Sequence, residues 1–111
     1  MLFIKKIMIH GVILYYININ QITNIFHSLI KKFCNDQDLK KILRYVKIED
    51  KIRSLSSVIL QKFISKKYLK IKLPYNKIVI NNFKYGKPYI KYNKNILNYN
   101  LSHDDELVVI G

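Results

Sequence analysis

The sequence predicts one α+β domain: a first strand, two to three helices, then an antiparallel meander of three or four strands. Three observations support this order. A β-branched and aromatic run opens the chain, apolar residues then recur at helical spacing, and from Lys77 onward the apolar period changes to two. The chain has 111 residues and neither repeats nor linkers, so we expect residues 1–111 to share one core.

The first predicted strand runs from Met8 to Ile17 and is bounded by Asn18. Its nearly continuous apolar character is typical of a central strand covered on both faces. The run is shorter than the roughly 20 residues that a membrane-spanning helix needs. Tyrosines and a histidine interrupt it and no small-residue cleavage site follows, which favours a buried strand over a targeting segment.

Two amphipathic helices are expected next. The first ends near Asn35, and its apolar stripe consists of Ile22, Ile25, Phe26, Leu29, Ile30 and Phe33. Asp36 or Asp38 can cap the second helix. That second helix is expected to place Leu39, Ile42, Leu43 and Val46 inside and Lys40, Lys41 and Lys47 outside.

The third and longest helix is predicted from Glu49 to about Tyr68. It contains no Gly or Pro, and acidic residues in its first turn and lysines in its last turn complement the helix dipole. Its buried face is expected to comprise Ile52, Leu55, Ile59, Leu60, Phe63 and Ile64.

The remaining strands are predicted at Ile78–Ile80 with Phe83, at Tyr89–Ile90, at Ile96–Leu101 and at Leu107–Ile110. Gly86-Lys87-Pro88 separates two of them, and glycine favours the backbone conformation of a tight turn. Lys87 is therefore expected at a hairpin tip, and Ser102-His103 at the end of a strand. A lysine and a Ser-His pair in an acid-free region suit phosphate binding.

The charge distribution points to an anionic partner. The formal net charge is +13, and part of that excess is explained by AT-rich codons, which favour Lys, Asn, Ile and Tyr. The distribution is harder to explain in this way, because Lys51 to His103 contains twelve Lys or Arg and no acidic residue. Such a block attracts a phosphorylated ligand or an acidic protein. The single cysteine, Cys34, excludes an internal disulfide and suits a reducing compartment.

Each candidate residue also has a purely structural interpretation. Arg53 can pair with Asp50 three residues earlier on the helix, a contact worth a few tenths of a kcal/mol. Lys87 can be a solvated turn residue, and His103 can be a hydrogen-bonded structural histidine. No single residue decides between these alternatives.

Taken together, three motifs resemble a known family. Glu49-Asp50-Lys51-Ile52-Arg53-Ser54-Leu55, Gly86-Lys87-Pro88-Tyr89-Ile90 and Tyr99-Asn100-Leu101-Ser102-His103 occur in this order. They resemble the N-terminal half of surfactin-type 4'-phosphopantetheinyl transferases, in the holo-(acyl-carrier-protein) synthase superfamily. The likeness covers nearly the whole chain. The Gly-Lys-Pro and Asn-x-Ser-His motifs are fairly specific as a pair, whereas the arginine motif alone is weak.

The resemblance implies a function and a set of binding residues. Members of this family transfer the phosphopantetheine arm of coenzyme A to a serine of an acidic carrier protein. Arg53, with Lys41, would hold the 3'-phosphate of coenzyme A; Gly86, Lys87 and Pro88 would lie beside its adenine; Ser102 and His103 would meet its phosphates. Arginine offers a planar fork of donors for phosphate oxygens, and a bound phosphate favours the protonated form of histidine.

The sequence departs from the family at two places. Asp104, Asp105 and Glu106 follow the Ser-His pair, where relatives have Ser or Thr, and they are not expected to be metal ligands. The Gly-x-Asp-x-Glu strand and Lys-Glu-x-x-x-Lys helix, which supply the family's magnesium ligands and base, are absent from these 111 residues. We therefore expect an N-terminal half domain with no catalytic or metal-binding residue of its own, and little or no activity alone.

Several alternatives remain open at this point. The chain can be a fragment, one half of a split enzyme whose partner supplies the metal site, or an inert remnant. We expect the strands near Gly111 to expose an edge for that missing half. A basic nucleic-acid-binding module is the second class of function, although nucleic acid is the less favoured partner. The expected compartment is the cytoplasm, with the mitochondrion as the alternative, and no membrane partner is expected.

Overall fold

The structure, a computed structural model that describes residues 1–111, places one long helix across one face of a four-stranded antiparallel sheet. The helices are α1 (Phe26–Phe33), α2 (Asp36–Leu43) and α3 (Ile48–Leu69). The strands are β1 (Lys5–Ile9), β2 (Val12–Asn18), β3 (Asn81–Asn82), β4 (Pro88–Tyr89), β5 (Lys91–Tyr92), β6 (Asn95–Ile96), β7 (Leu101–His103) and β8 (Leu107–Ile110). The predicted α+β class is confirmed.

The start of the chain differs from the prediction. One continuous strand from Met8 to Ile17 is wrong, because the chain reverses at His10 and Gly11. Their φ angles of 50° and 77° are the left-handed values of a two-residue hairpin turn. The edge strand β1 is exposed along its length, and only β2 lies inside the sheet, between β1 and β8.

The helix α1 begins later than expected and α2 has a different cap. Two short 3-10 turns, Ile19–Gln21 and Thr23–Ile25, precede α1. The cap of α2 is Asn35, whose side chain accepts a hydrogen bond from the Asp38 backbone N–H at 2.9 Å, while the Asp38 carboxylate accepts one from the Asn35 N–H at 3.1 Å. Val46 was expected inside but is 95% exposed, because α2 ends at Leu43, itself an exposed residue.

The long helix α3 follows the predicted boundaries to within about a residue at each end. Its predicted apolar face is buried, with Phe63 half-buried. Polar side chains on other faces of the helix are buried as well: Ser56, Gln61, Lys62 and Ser65. The sheet packs against α3 as do α1 and α2, so this helix forms the centre of the molecule. No helix is both long enough and apolar enough to cross a bilayer.

The main sheet has the strand order β1-β2-β8-β7, with every neighbouring pair antiparallel. Tyr15 lies opposite Ile110, and Ile17 opposite Val108. All four side chains are buried in the same core as the apolar face of α3. Of the strands near Gly111, which are expected to expose an edge, β8 does not, because β2 and β7 flank it. The neighbouring strand β7 does lie at an edge of the sheet, and β1 forms the other edge.

Two small hairpins occupy the segment before β7. In the first, the turn closes with a 2.8 Å hydrogen bond from the Gly86 N–H to the Phe83 carbonyl, and Gly86 has a φ of 95°. The turn at Gly86 is therefore as predicted, but the tip is Lys84-Tyr85 rather than Lys87. The carbonyl of Lys87 instead accepts a hydrogen bond from the Phe83 N–H.

The predicted strand Ile96–Leu101 is divided in two. The second hairpin pairs β5 with β6, and β6 ends at Ile96. The chain then turns Tyr99 into the core before β7 begins at Leu101. Asn100 exchanges backbone hydrogen bonds of 3.0 Å with Gly111, which aligns β7 alongside β8.

Candidate functional site

A cleft of about 260 Å³ lies between the helices α2 and α3 on one side and β7 on the other. Four of the residues singled out from the sequence line it: Lys41, Arg53, Ser102 and His103. Asp50 contributes the one carboxylate of the cleft lining, so its cationic groups outnumber its acidic one. The cleft is suited to an anionic ligand.

Arg53 connects the two walls of the cleft. Its Nη2 lies 2.7 Å from the Oδ1 of Asp50, which is the helix pair expected from the sequence. Its Nη1 donates to the backbone carbonyl of Asp105 at 2.5 Å, in the turn between β7 and β8. These two contacts leave further N–H donors of the guanidinium's five for a ligand. The structural and functional interpretations of Arg53 are therefore compatible.

Lys41 reaches the cleft because α2 is anchored to α3. The Nζ of Lys62 lies 2.5 Å from the Oδ2 of Asp38 and 2.7 Å from the carbonyl oxygen of Phe33. Both charged side chains are buried. A buried ion pair with satisfied hydrogen bonds holds its two elements in one arrangement. The end of α1 and the start of α2 are thus tied to α3, and Lys41 lies on the exposed side of α2 that borders the cleft.

Ser102 and His103 form the opposite wall. In the register of the sheet His103 lies opposite Val108 and Ser102 opposite Val109. Successive side chains of a strand point to opposite faces, so His103 shares the face of the buried Val108, towards α3. Both Ser102 and His103 are exposed and line the cleft.

The acidic turn after His103 does not line this cleft. Asp104, Asp105 and Glu106 border a separate shallow depression. The Oδ1 of Asp104 accepts hydrogen bonds from the backbone N–H groups of Leu107 at 2.8 Å and Glu106 at 2.9 Å. These bonds, first the one from Leu107, lower the pKa of Asp104. Its carboxylate thus closes the turn.

Magnesium, which the resemblance implies for the family, does not fit the residues of this chain. No group of three or more His, Cys, Asp or Glu side chains is placed to hold a metal ion. Asp104, Asp105 and Glu106 are consecutive acidic residues, but the Asp104 carboxylate already accepts hydrogen bonds from two backbone N–H groups. No chemical step through a metal is therefore assigned to these residues.

The Gly86-Lys87-Pro88 segment lies beside the cleft but not in it. Lys87 and Pro88 line a second depression of about 190 Å³, together with Tyr99 and Asn100. Leu101 borders both spaces, so they are neighbours. Gly86 lines neither and serves the turn.

Sequence reasoning missed the floor of the cleft, which is formed by Ser57 and Gln61 of α3. The signal was available. Residues four apart lie on the same side of a helix, so Arg53, Ser57 and Gln61 form one row. Ser57 and Gln61 belong to none of the three motifs. The predicted buried face of α3 contained only apolar residues, so Gln61 was not expected to be buried.

The fold has a solved counterpart. The structure is similar to a holo-(acyl-carrier-protein) synthase from Bacillus anthracis strain Ames, solved in complex with CoA (3',5'-ADP), with a TM-score of 0.73. The match covers 87% of this chain and 88% of that one, at 16% sequence identity. At that identity the likeness establishes the fold alone. No curated protein sequence matches significantly.

The sequence itself supplies the family. Residues 22–111 match the family model described as 4'-phosphopantetheinyl transferase, N-terminal. The chain belongs to this family. The resemblance found in its three motifs is thereby confirmed over most of its length.

Proposed function

We propose that this chain takes part in transferring the 4'-phosphopantetheine arm of coenzyme A to a serine of an acidic carrier protein, by holding the adenylate and 3'-phosphate end of coenzyme A. One observation carries the proposal. Lys41, Arg53, Ser102 and His103 come from three separate elements, yet all of them line a single cleft. Family membership supports the substrate class.

The roles follow the family pattern residue by residue. Arg53 and Lys41 bind the 3'-phosphate, for which a guanidinium and an ammonium are suitable donors. Lys87 and Pro88 lie beside the adenine, with Gly86 shaping their turn. Ser102 lies beside His103 where the phosphates bind. His103 binds best when protonated, since an adjacent phosphate stabilises the imidazolium.

The magnesium ligands and the base that activates the serine are assigned to polypeptide outside residues 1–111, either a C-terminal half or a separate chain. The acid-free block from Lys51 to His103 supports docking of an acidic carrier domain. We assign the protein to the cytoplasm because a chain with a single cysteine suits a reducing compartment. Burial raises the pKa of that cysteine, Cys34, to about 12. That thiol stays protonated and unreactive.

Calorimetric titration of the whole chain with coenzyme A and with dephospho-coenzyme A tests the proposal. Arg53→Ala and His103→Ala should each weaken coenzyme A binding by roughly 1–3 kcal/mol, because each removes a charged hydrogen bond. Of these two variants, only Arg53→Ala should reduce the preference for coenzyme A over the dephospho form. Lys31→Ala removes an exposed lysine of α1 outside the cleft and should bind like the unmodified chain.

Two outcomes would contradict the proposal. One is absence of coenzyme A binding by the unmodified chain. The other is equal affinity of the Arg53→Ala, His103→Ala and Lys31→Ala variants. The nucleic-acid alternative makes a different prediction, because such binding falls steeply between low and physiological salt and does not distinguish the two forms of coenzyme A.

A further inference from the structure

The floor of the cleft contains a hydrogen-bond chain that none of these roles uses. The phenol of Tyr99 donates to the Oε1 of Gln61 at 2.6 Å, and the Nε2 of Gln61 donates to the Oγ of Ser57 at 3.2 Å. Tyr99 and Gln61 are 3% and 2% exposed. The chain therefore runs from the core to Ser57, which lines the cleft.

The direction of these bonds determines what Ser57 can do. Burial raises the pKa of Tyr99, so its phenol keeps a proton to donate. The amide of Gln61 then presents its oxygen to Tyr99 and its NH₂ group to Ser57. The oxygen of Ser57 is an acceptor in this bond, so the hydroxyl proton remains available for another partner.

The neighbouring serine shows the difference. Ser56 donates its proton to the backbone carbonyl of Ile52 at 2.8 Å, as buried helix serines commonly do. Ser57 has the bond from Gln61 and donates to no group of the protein. It lies four residues after Arg53, and side chains at this spacing are about 5–6 Å apart on one helix face. One phosphate group can contact both.

We propose that Ser57 is a ligand-binding residue of the cleft, donating its hydroxyl proton to the same 3'-phosphate that Arg53 holds, and that Gln61 and Tyr99 are positioning residues that orient it. This inference rests on the proposed function, since it requires a nucleotide in the cleft. Ser57 would be a neutral hydrogen-bond donor to a phosphate whose other proposed ligands, Arg53 and Lys41, are cationic. It also explains why a glutamine is buried in the floor.

The test compares four variants of the whole chain by titration with coenzyme A and dephospho-coenzyme A. Ser57→Ala should weaken coenzyme A binding about fivefold to tenfold and leave the dephospho form unchanged. Ser57→Thr keeps a hydroxyl and should retain most of the affinity. Tyr99→Phe should weaken coenzyme A binding less than Ser57→Ala does. Ser65→Ala, on the same helix but outside the cleft, is the matched control.

A double variant separates orientation from general destabilisation. If Tyr99 acts through Ser57, Tyr99→Phe has no further effect on coenzyme A affinity once Ser57 is Ala. Thermal unfolding reports loss of stability independently, and Gln61→Met interrupts the same chain should Tyr99→Phe fail to fold. Additive losses from Ser57→Ala and Tyr99→Phe would overturn the positioning role.

Failure of this inference can be told apart from failure of the proposed function. If the unmodified chain binds coenzyme A and Ser57→Ala binds it equally well, the role of Ser57 is wrong and the proposed function stands. If the unmodified chain does not bind coenzyme A, both are overturned.

Discussion

The two regions that flank the candidate site are held in place differently. On the helical side, Lys62 bonds to Asp38 and to Phe33 across 24 and 29 residues of sequence. On the hairpin side, β3 and β4 are two residues each, and local turn bonds close them. Phe83, in the turn between them, stacks on Tyr89, with the ring centroids 4.2 Å apart. Tyr85 also stacks on Phe83 and is 76% exposed.

This difference indicates that the helical side of the site is more preorganised than the hairpin side. The helical wall belongs to the main core, whereas the segment around the hairpin has a small core of its own, formed by Ile71, Ile78 and Ile90. Elements held mostly by local bonds open at lower free energy than elements buried in a core. We expect Lys41 and Arg53 to be positioned before a ligand binds, and Lys87 to adjust afterwards.

The largest effect is expected on the helical side. Lys62→Met leaves Asp38 buried without its partner and should lower the free energy of unfolding by about 3–5 kcal/mol. Denaturant unfolding measures this loss. Lys67→Met, at an exposed position of the same helix, should change stability by less than about 1 kcal/mol. Equal stability of the two variants would show that the buried pair does not anchor α2.

A smaller and local effect is expected in the hairpin. Gly86→Ala forces a side chain onto a φ of 95°, although nothing lies within 4 Å of the added carbon, so the cost is conformational strain of about 1–2 kcal/mol. Hydrogen exchange should speed up in residues 81–90 and remain slow in α3. Gly86→Asn should be milder, since asparagine adopts left-handed conformations more readily. Faster hydrogen exchange throughout α3 as well would show that the hairpin does not open independently of the helical side.

The smallest change in stability is expected at a buried hydroxyl of α3 that makes no hydrogen bond. The hydroxyl of Ser65 is buried and has no hydrogen-bond partner. Ser65→Ala should therefore raise the free energy of unfolding, by up to about 1 kcal/mol. Ser56→Ala removes a hydroxyl that is equally buried but bonded to Ile52, and should lower stability instead. Thermal unfolding of both variants gives the sign; a loss in both would contradict the prediction.

Sequence reasoning located much of the candidate site, because its motifs are short and local. Arg53 pairs with Asp50 as its spacing predicts, and Ser102-His103 ends a strand. It did not find Ser57 and Gln61, whose importance depends on a bond to Tyr99 that spans 38 residues. Nor could it place Lys87 correctly, because a turn's tip depends on which residues pair across it.

By itself the sequence determined the α+β order, the extent of α3 and the turn at Gly86, since helical periodicity, capping and glycine's backbone freedom act over a few residues. Only the tertiary structure decided that β8 enters the sheet beside β2, that Asp38 meets Lys62, and that distant cationic residues line one cleft. Strand order and burial depend on contacts between segments far apart in the chain, which minimise exposed apolar surface for the molecule as a whole.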